Sequence, residues 1–452
     1  MIRDFYIENI RRQMSVTPTM EQDTAMRLFA EYMTCRDDHP VFILNGAAGT
    51  GKTTLASAIV RALMEMKQKI VLMAPTGRAA KVFSLYSGQS AYTIHRRIYR
   101  QRTGAVGLEG FSLNDNLHTD TLFIIDEASM IANQGYGGGG FGSGRLLDDL
   151  MQYVNGGRNC RVMLIGDRAQ LPPVGEDESP ALMPQVMGSY GHIVMHATLS
   201  EVVRQEEDSG ILWNATNVRQ MADNEYAEEL PKVCFRGFDD IRNVPGNELI
   251  EELASSYSRA GLDDTIVITR SNKLAIRYNN GIRNMVLGNE DELCSGDRLM
   301  IVKNNYYWTE KEKLPLPFIA NGDRVKVERV RNIRELYGFR FADVTMSFPD
   351  YDNIELTATV NLNTLRSEAP ALTREESEQL YNKVMEDYQH IPLKAERLKA
   401  LRQDIYYNAL QVKYAYAVTC HKAQGGQWSH VYVDQGYMTD DMLTPEYLHW
   451  LY

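Results

Sequence analysis

The chain has no two cysteines placed to work together. Its five, Cys35, Cys160, Cys234, Cys294 and Cys420, are odd in number, far apart and free of any CxxC pair. Neither a zinc site nor a disulfide framework is suggested, and a reducing cytoplasm fits. Long apolar runs are missing as well. No stretch approaches the roughly 18 uninterrupted apolar residues of a spanning helix, so no membrane partner is expected. The start, MIRDFYIENIRRQM, places Arg3 and Asp4 at once and has no apolar h-region, so no secretory leader is expected. Positive charge is in deficit: 48 Lys and Arg stand against 59 Asp and Glu, a net charge of −11. That argues against a generally basic surface for nucleic acid. It leaves room for a basic cleft, and RRIYRQR at 96–102 is a local run of that kind.

What is present is organised by short apolar runs that stop abruptly at polar residues. The 452 residues exceed one ordinary core. At about 150 residues per domain they suggest two to four. VFIL precedes NGAAGTGKTT at 41–54, IVLMAP precedes TGRAAK, and TLFII precedes DEASM at 121–130. VMLI precedes GDRAQLPPVG, TIVI precedes TRSN, and VYV precedes DQG at 431–436. Runs of four to six β-prone residues without alternation suit strands buried on both faces of a parallel sheet. Helical segments lie between them; Leu55, Ile59, Val60, Leu63 and Met64 share one face. Four runs precede residue 175 and two follow 265, which predicts two α/β units with a site between them. Residues 296–365 alternate instead, as in VKVERV and IELTATVNL, and predict a small antiparallel module with one wet face. A helical stretch at 374–410 follows, opened by Thr373 with Glu376 as a capping box. The expected division is 1–195 for the first unit with a small insertion at about 86–120, 196–295 and 405–452 for the second, and 296–404 for the inserted module. The second unit is expected to resume at KYAYAV, and GYGGGGFGSG at 135–144 reads as a surface linker.

GAAGTGKT at 46–53 matches GxxxxGK[ST] between a strand and a helix, the context in which that motif cradles phosphates. Its positions Gly46, Ala48, Gly49, Thr50 and Gly51, with Thr54 beyond, bring backbone amides and a helix N-terminus to the anion. Lys52 would pair the β- and γ-phosphates and Thr53 would hold Mg²⁺. Asp126 and Glu127 end a strand 74 residues after the P-loop lysine; Asp126 would join the Mg²⁺ shell and Glu127 would polarise the attacking water. Asp167 and Gln170 in GDRAQLPP fall beside the same site. The cofactors expected are therefore ATP and Mg²⁺.

TPTMEQ, GAAGTGKT, APTGRAAK, YTIH, DEAS, GDRAQLPPVG, LSEVVRQ and VTCHKAQGGQW occur in this order over nearly the whole chain. This set resembles the motifs of superfamily 1B DNA helicases of the Pif and RecD types. The resemblance implies two RecA-like domains with an SH3-like inserted module, and ATP-driven translocation on single-stranded DNA, 5′ to 3′, coupled to unwinding. It implies as partners single strands, junctions of single and double strand and G-quadruplex DNA, for a working monomer in the cytoplasm at the nucleoid of a bacterial or phage-infected cell. By resemblance Gln22 reads the adenine, Gln170 senses the γ-phosphate, and Arg204 reaches that phosphate across the cleft. Pro75, Thr76, Gly77, Arg78, Thr93 and His95 would line the DNA groove. Thr419, His421 and Lys422 would face the nucleic-acid backbone, while Gln424 and Gly425 would face the nucleotide.

In this family a leucine-tyrosine pair leads into motif VI, whose arginine also contacts the γ-phosphate. The sequence stops at YLHWLY, so that motif is expected to be missing and hydrolysis to be weak. Two other functions stay open: an RNA helicase of the same superfamily, and a catalytically weak single-strand-binding accessory protein.

Overall fold

The computed structural model describes residues 2–37, 39–47, 49–101, 111–134, 142–173, 175–201, 209–222, 232–316 and 318–436. The first unit is built on β1 (Val41–Gly46), β2 (Lys69–Ala74), β3 (Ala91–Thr93), β6 (Thr121–Ile125), β7 (Arg161–Gly166) and β8 (Val194–Leu199), with a short antiparallel hairpin of β4 (Tyr99–Gln101) and β5 (Phe111–Leu113) beside it. The six form one parallel sheet in the order β3-β2-β6-β7-β1-β8. The apolar runs do not alternate because both faces are buried. Phe42 and Leu44 pack with Phe29, Tyr32, Leu55 and Ile59 on one side. Val41 and Ile43 pack with Leu147, Leu150 and Leu164 on the other. The helix Met20–Thr34 begins in a capping box: Thr19 Oγ1 accepts from Gln22 N, and Gln22 Oε1 accepts from Thr19 N at 3.1 Å. Such a cap contributes about 1 kcal/mol and fixes where the helix starts.

The second unit pairs β9 (Thr265–Thr269) in parallel with β15 (Ala417–Thr419) on one side and β16 (His430–Asp434) on the other. Between them β10 (Arg298–Ile301), β11 (Arg324–Leu336), β12 (Phe339–Phe348), β13 (Ile354–Asn361) and β14 (Leu410–Tyr414) close a barrel. The alternation has its physical reason there. Leu356, Ala358 and Val360 are within 2% of full burial inside the barrel, while Glu355 and Thr357 face out. The helix Arg374–Asp387 carries the capping box expected of Thr373 and Glu376, and rests Leu380 and Val384 on Phe339 and Phe341. Among the described residues no helix is long and apolar enough to cross a membrane.

Three expectations need correction. The first unit runs past 195, because β8 ends at Leu199; this edge strand is half-exposed, and VMHATL reads as no apolar run. The expected insertion at 86–120 includes β3, which pairs with β2 in the main sheet and was hidden by its three-residue length. KYAYAV does not return whole to the second unit. Its first two residues end the barrel's β14, and Ala417 and Val418 begin β15, so the barrel keeps residues that the boundary at 405 assigned elsewhere. One core joins Val267, Ala275 and Ile282 to Leu299, Val344 and Leu410, so no polar break marks the change. Most of the glycine-rich stretch, 135–141, and the final 437–452 with YLHWLY lie outside the described residues.

Candidate functional site

The carboxyl edge of the first sheet divides into two halves. β1, β6 and β7 end in GAAGTGKT, DEAS and GDRAQLPP, while β2 and β3 end in PTGRAAK and IH. Ala74 and Thr93 are register partners, so Pro75 and Thr76 leave the sheet beside Thr93 and His95. This is where parallel α/β sheets bind ligands.

Gly46 has no room for a side chain. A Cβ there would stand 2.9 Å from Thr50 Oγ1 and 3.0 Å from Leu199 O. Gly49 and Gly51 take φ of +81° and +80°, a left-handed turn that favours glycine. Gly51 caps the helix Lys52–Glu65 without a side chain, which leaves the first helical amides available to an anion. Lys52 Nζ donates to Gly46 O at 2.6 Å and Ala47 O at 3.2 Å. Burial pulls its pKa below the ordinary lysine value, against the opposing pull of Asp167, Glu127 and Asp126. Thr50 Oγ1 donates to Ala47 O at 2.8 Å. Thr53 and Thr54 stand in the first turn, Thr53 exposed. Ala48 lies outside the described residues. Gln22 is buried with both ends of its amide engaged: Oε1 accepts from Thr19 N, and Nε2 donates to Thr50 O at 3.2 Å. As placed it braces the P-loop, and reading an adenine would require one of these bonds to open.

Asp126 and Glu127 occupy the turn after β6. Asp126 Oδ1 accepts from Glu127 N at 2.9 Å, and its Oδ2 accepts from the Tyr86 hydroxyl. Burial raises the Asp126 pKa and drives the Tyr86 hydroxyl far above the phenol range. Glu127 sits at φ +53°. Burial pushes its pKa up to about 7, with Asp126 adding to the rise and Lys52 opposing it. Asp167 Oδ1 accepts from Ala169 N at 3.0 Å, and its carboxylate takes both terminal nitrogens of Arg219 at 3.0 and 3.1 Å. Gln170 Oε1 accepts from Ser129 Oγ at 3.3 Å.

The second unit meets this edge through the loop after β15. Gln424 Nε2 donates to Leu171 O at 2.7 Å, one residue beyond Gln170. Gly425 has φ +70°, and a Cβ on it would stand 3.2 Å from Ala79. Thr419 ends β15; His421 and Lys422 follow in a short helix, and burial lowers the pKa of both. Among the described residues Lys422 has no carboxylate partner. The expected groove residues behave differently from one another. Thr76 and Thr93 use their hydroxyls as helix caps, accepting from Ala79 N and Arg96 N at 3.2 Å. Gly77 lies against Tyr351 and Asp323 of the barrel. His95 lines a cavity of about 610 Å³ between the first unit and the barrel, and burial lowers its pKa to about 4. Arg78 is engaged by the second unit: its Nη2 donates to Gln427 O at 2.5 Å, and its guanidinium lies 4.4 Å from the Trp428 ring centroid.

Arg204 lies outside the described residues. The last described residues before it are held by Glu21, next to Gln22, which accepts from Ser200 N at 2.6 Å and Glu201 N at 2.8 Å. The sequence reading missed Glu21, Tyr86, Ser129, Arg219 and Trp428. Glu21 adjoins Gln22, and Ser129 and Trp428 fall within the DEAS and VTCHKAQGGQW motifs without a role of their own; Tyr86 and Arg219 lie in neither, and a lone tyrosine or arginine on a helix carries no local signal of its partner.

Among the described residues no three His, Cys, Asp or Glu cluster as a metal cage. The exposed Thr53 hydroxyl and the buried Asp126 carboxylate are oxygen donors of the kind Mg²⁺ takes when nucleotide phosphates and water complete its shell. A carboxylate whose pKa burial has raised gains most from a cation beside it. The residues present therefore fit the ion.

A P-loop nucleotide-binding fold with two parallel-sheet units is the class that this edge defines. A family model described as an AAA domain matches residues 19–238, and one described as a UvrD-like helicase C-terminal domain matches 414–452. The chain is 33% identical over 140 residues to the ATP-dependent RecD2 DNA helicase of Deinococcus radiodurans, covering 30% of this chain and 16% of that one. It is 27% identical over 298 residues to the ATP-dependent DNA helicase dda of Enterobacteria phage T4, covering 63% and 62%. An uncharacterized protein of Acanthamoeba polyphaga mimivirus is 24% identical over 92% of this chain and 93% of its own. The chain thus spans less than two thirds of either named helicase. The crystal structure of Pif1 helicase from Candida albicans aligns with 96% of this chain and 92% of its own, at a TM-score of 0.41 and 16% identity. The chain is thus similar in sequence to DNA helicases of the RecD2 and dda kinds.

Proposed function

We propose that this chain is the motor of an ATP-dependent DNA helicase, moving 5′ to 3′ along a single strand and separating the duplex ahead. The observation that carries the reading is the Gln424 bond to Leu171 O, which ties the loop of the proposed strand contacts His421 and Lys422 to the segment holding Gln170. When bound, ATP with Mg²⁺ supplies the phosphoanhydride and the charge compensation for its cleavage. Lys52, now held by carbonyls of the loop, turns to the β- and γ-phosphates. Thr53 and Asp126 would hold the cation. Glu127 accepts a proton from the attacking water, a role its raised pKa suits because a base near neutrality both binds and releases protons at working pH. Gln170 orients that water, and Arg204 completes the charge stabilisation when the cleft closes. Pro75, Thr76, Gly77, Thr93 and His95, with Thr419, His421 and Lys422, form the groove for the strand backbone. Junctions and G-quadruplex DNA are the structured substrates proposed, a monomer the working form, and the nucleoid its place.

Strand-separation assays test this reading. Duplexes with a 5′ single-stranded tail should be opened in the presence of ATP and Mg²⁺, and duplexes with only a 3′ tail should not. Equal opening of both removes the polarity. ATPase stimulation by RNA equal to that by DNA favours the RNA reading.

A further inference from the structure

We propose that Arg78 and Trp428 form a clasp between the two motor units that sets how readily the ATP cleft closes, with Arg78 acting as a positioning residue rather than a strand contact. The proposal rests on the helicase reading above and deepens it. Arg78 opens the helix Gly77–Ser87 of the first unit; Trp428 follows the Gln424 loop of the second. The guanidinium engages the loop twice, stacking 4.4 Å from the indole centroid and donating to Gln427 O at 2.5 Å. The loop is shaped around this contact. A Cβ on Gly426 would collide with the Trp428 ring, and one on Gly425 would press on Ala79, the residue after Arg78. The same loop is anchored four residues earlier, where Gln424 bonds Leu171 O at 2.7 Å. One fixing point therefore adjoins Gln170 and the other the groove edge, so a shift at the clasp reaches the γ-phosphate side.

The clasp is also built to open. Among the described residues Arg78 Nε and Trp428 Nε1 are buried donors without a partner, so part of what stacking contributes is offset by their lost hydration. A contact of small net stability across a cleft suits an element that closes and opens in each cycle. The acidic groups bearing on Arg78 from across the junction are Asp263, Asp264 and Asp350; the neighbouring cation is Arg324.

The test is a double-mutant cycle on the strand-stimulated ATPase of the full chain, with Arg78→Ala, Trp428→Ala and the pair. Each single change should lower stimulated turnover roughly tenfold, the scale of a desolvated cation–π contact, and the pair should lower it no further. Trp428→Phe, which keeps a ring, should stay within about threefold of the parent. Trp428→Ala should leave strand affinity without nucleotide within about twofold. Losses that multiply to roughly a hundredfold in the pair would overturn the clasp. So would an Arg78→Ala variant that loses nucleotide-free strand binding while Trp428→Ala loses nothing, because Arg78 would then be a strand contact. If Trp428→Ala lacks a cooperative melting transition, Arg78→Lys takes its place: it keeps the charge but not the flat stack, and parental turnover would overturn the proposal. An unmutated chain that no strand stimulates removes the helicase reading itself, an outcome distinct from multiplying losses.

Discussion

Glu127 combines two demands that pull against each other. Its carboxylate must be enclosed to act on water, and enclosure raises its pKa from 4.5 to about 7. The folded chain then binds a proton that the unfolded chain has released at any pH between these values. Stability from this group is fully present below about 4.5 and is lost as pH rises through about 7. Glu127→Gln should therefore melt higher than the parent at pH 8, with the difference vanishing near pH 4.5, as followed by circular dichroism. The same variant should keep ATP binding and lose turnover by about a hundredfold or more. In the parent, kcat/KM should rise with pH through about 7 and then level off, because only the ionised carboxylate accepts a proton. Lys52→Ala should abolish turnover while single-strand binding, measured by fluorescence anisotropy, persists; its ammonium donates to the loop's own carbonyls and lies in the field of the acids around the phosphate site.

Among the elements, the strand-ending turns were the most legible part of the sequence. Each of the six apolar runs forms a strand, and the P-loop, DEAS and GDRAQ turns converge because β1, β7 and β6 are neighbours. Short and half-exposed elements were not legible. β3 offers three residues and β8 an edge pattern, and neither makes the continuous apolar run that marks a buried strand. Contacts between distant elements were hidden for another reason. The Tyr86–Asp126, Arg219–Asp167 and Arg78–Trp428 pairs are 40, 52 and roughly 350 residues apart, and no local periodicity encodes them. The close approach at Gly46 gives an element-scale test. Gly46→Ala would force Thr50 and the Leu199 backbone to yield, and should destabilise the first unit by roughly 1–3 kcal/mol in urea titrations while weakening ATP binding.

At the scale of the whole molecule, the proposed strand binding must coexist with a net charge of −11. On the helix Gly77–Ser87 two cations are already committed: Arg78 to Trp428, and Lys81 to Asp350 and Pro349 O. Strand affinity should then rest on backbone hydrogen bonds and few ion pairs. Its logarithm should fall against log salt with a slope shallower than about −3, the value for roughly four neutralised phosphates on a single strand. The division into motor units was legible from where the apolar runs cluster. The exact exit from the barrel was not, because Leu410 to Val418 is continuously apolar-rich while the chain passes from one sheet to another.

The central claim is that the loop from Thr419 to Trp428 links strand to nucleotide. The most direct measurement compares ATP turnover with and without single-stranded DNA for the parent and for a variant carrying His421→Ala and Lys422→Ala. The parent should be stimulated about tenfold or more, and the variant should lose most of that stimulation and bind unrelated strands more weakly to a similar degree. A variant that binds strands normally and remains fully stimulated would contradict the account.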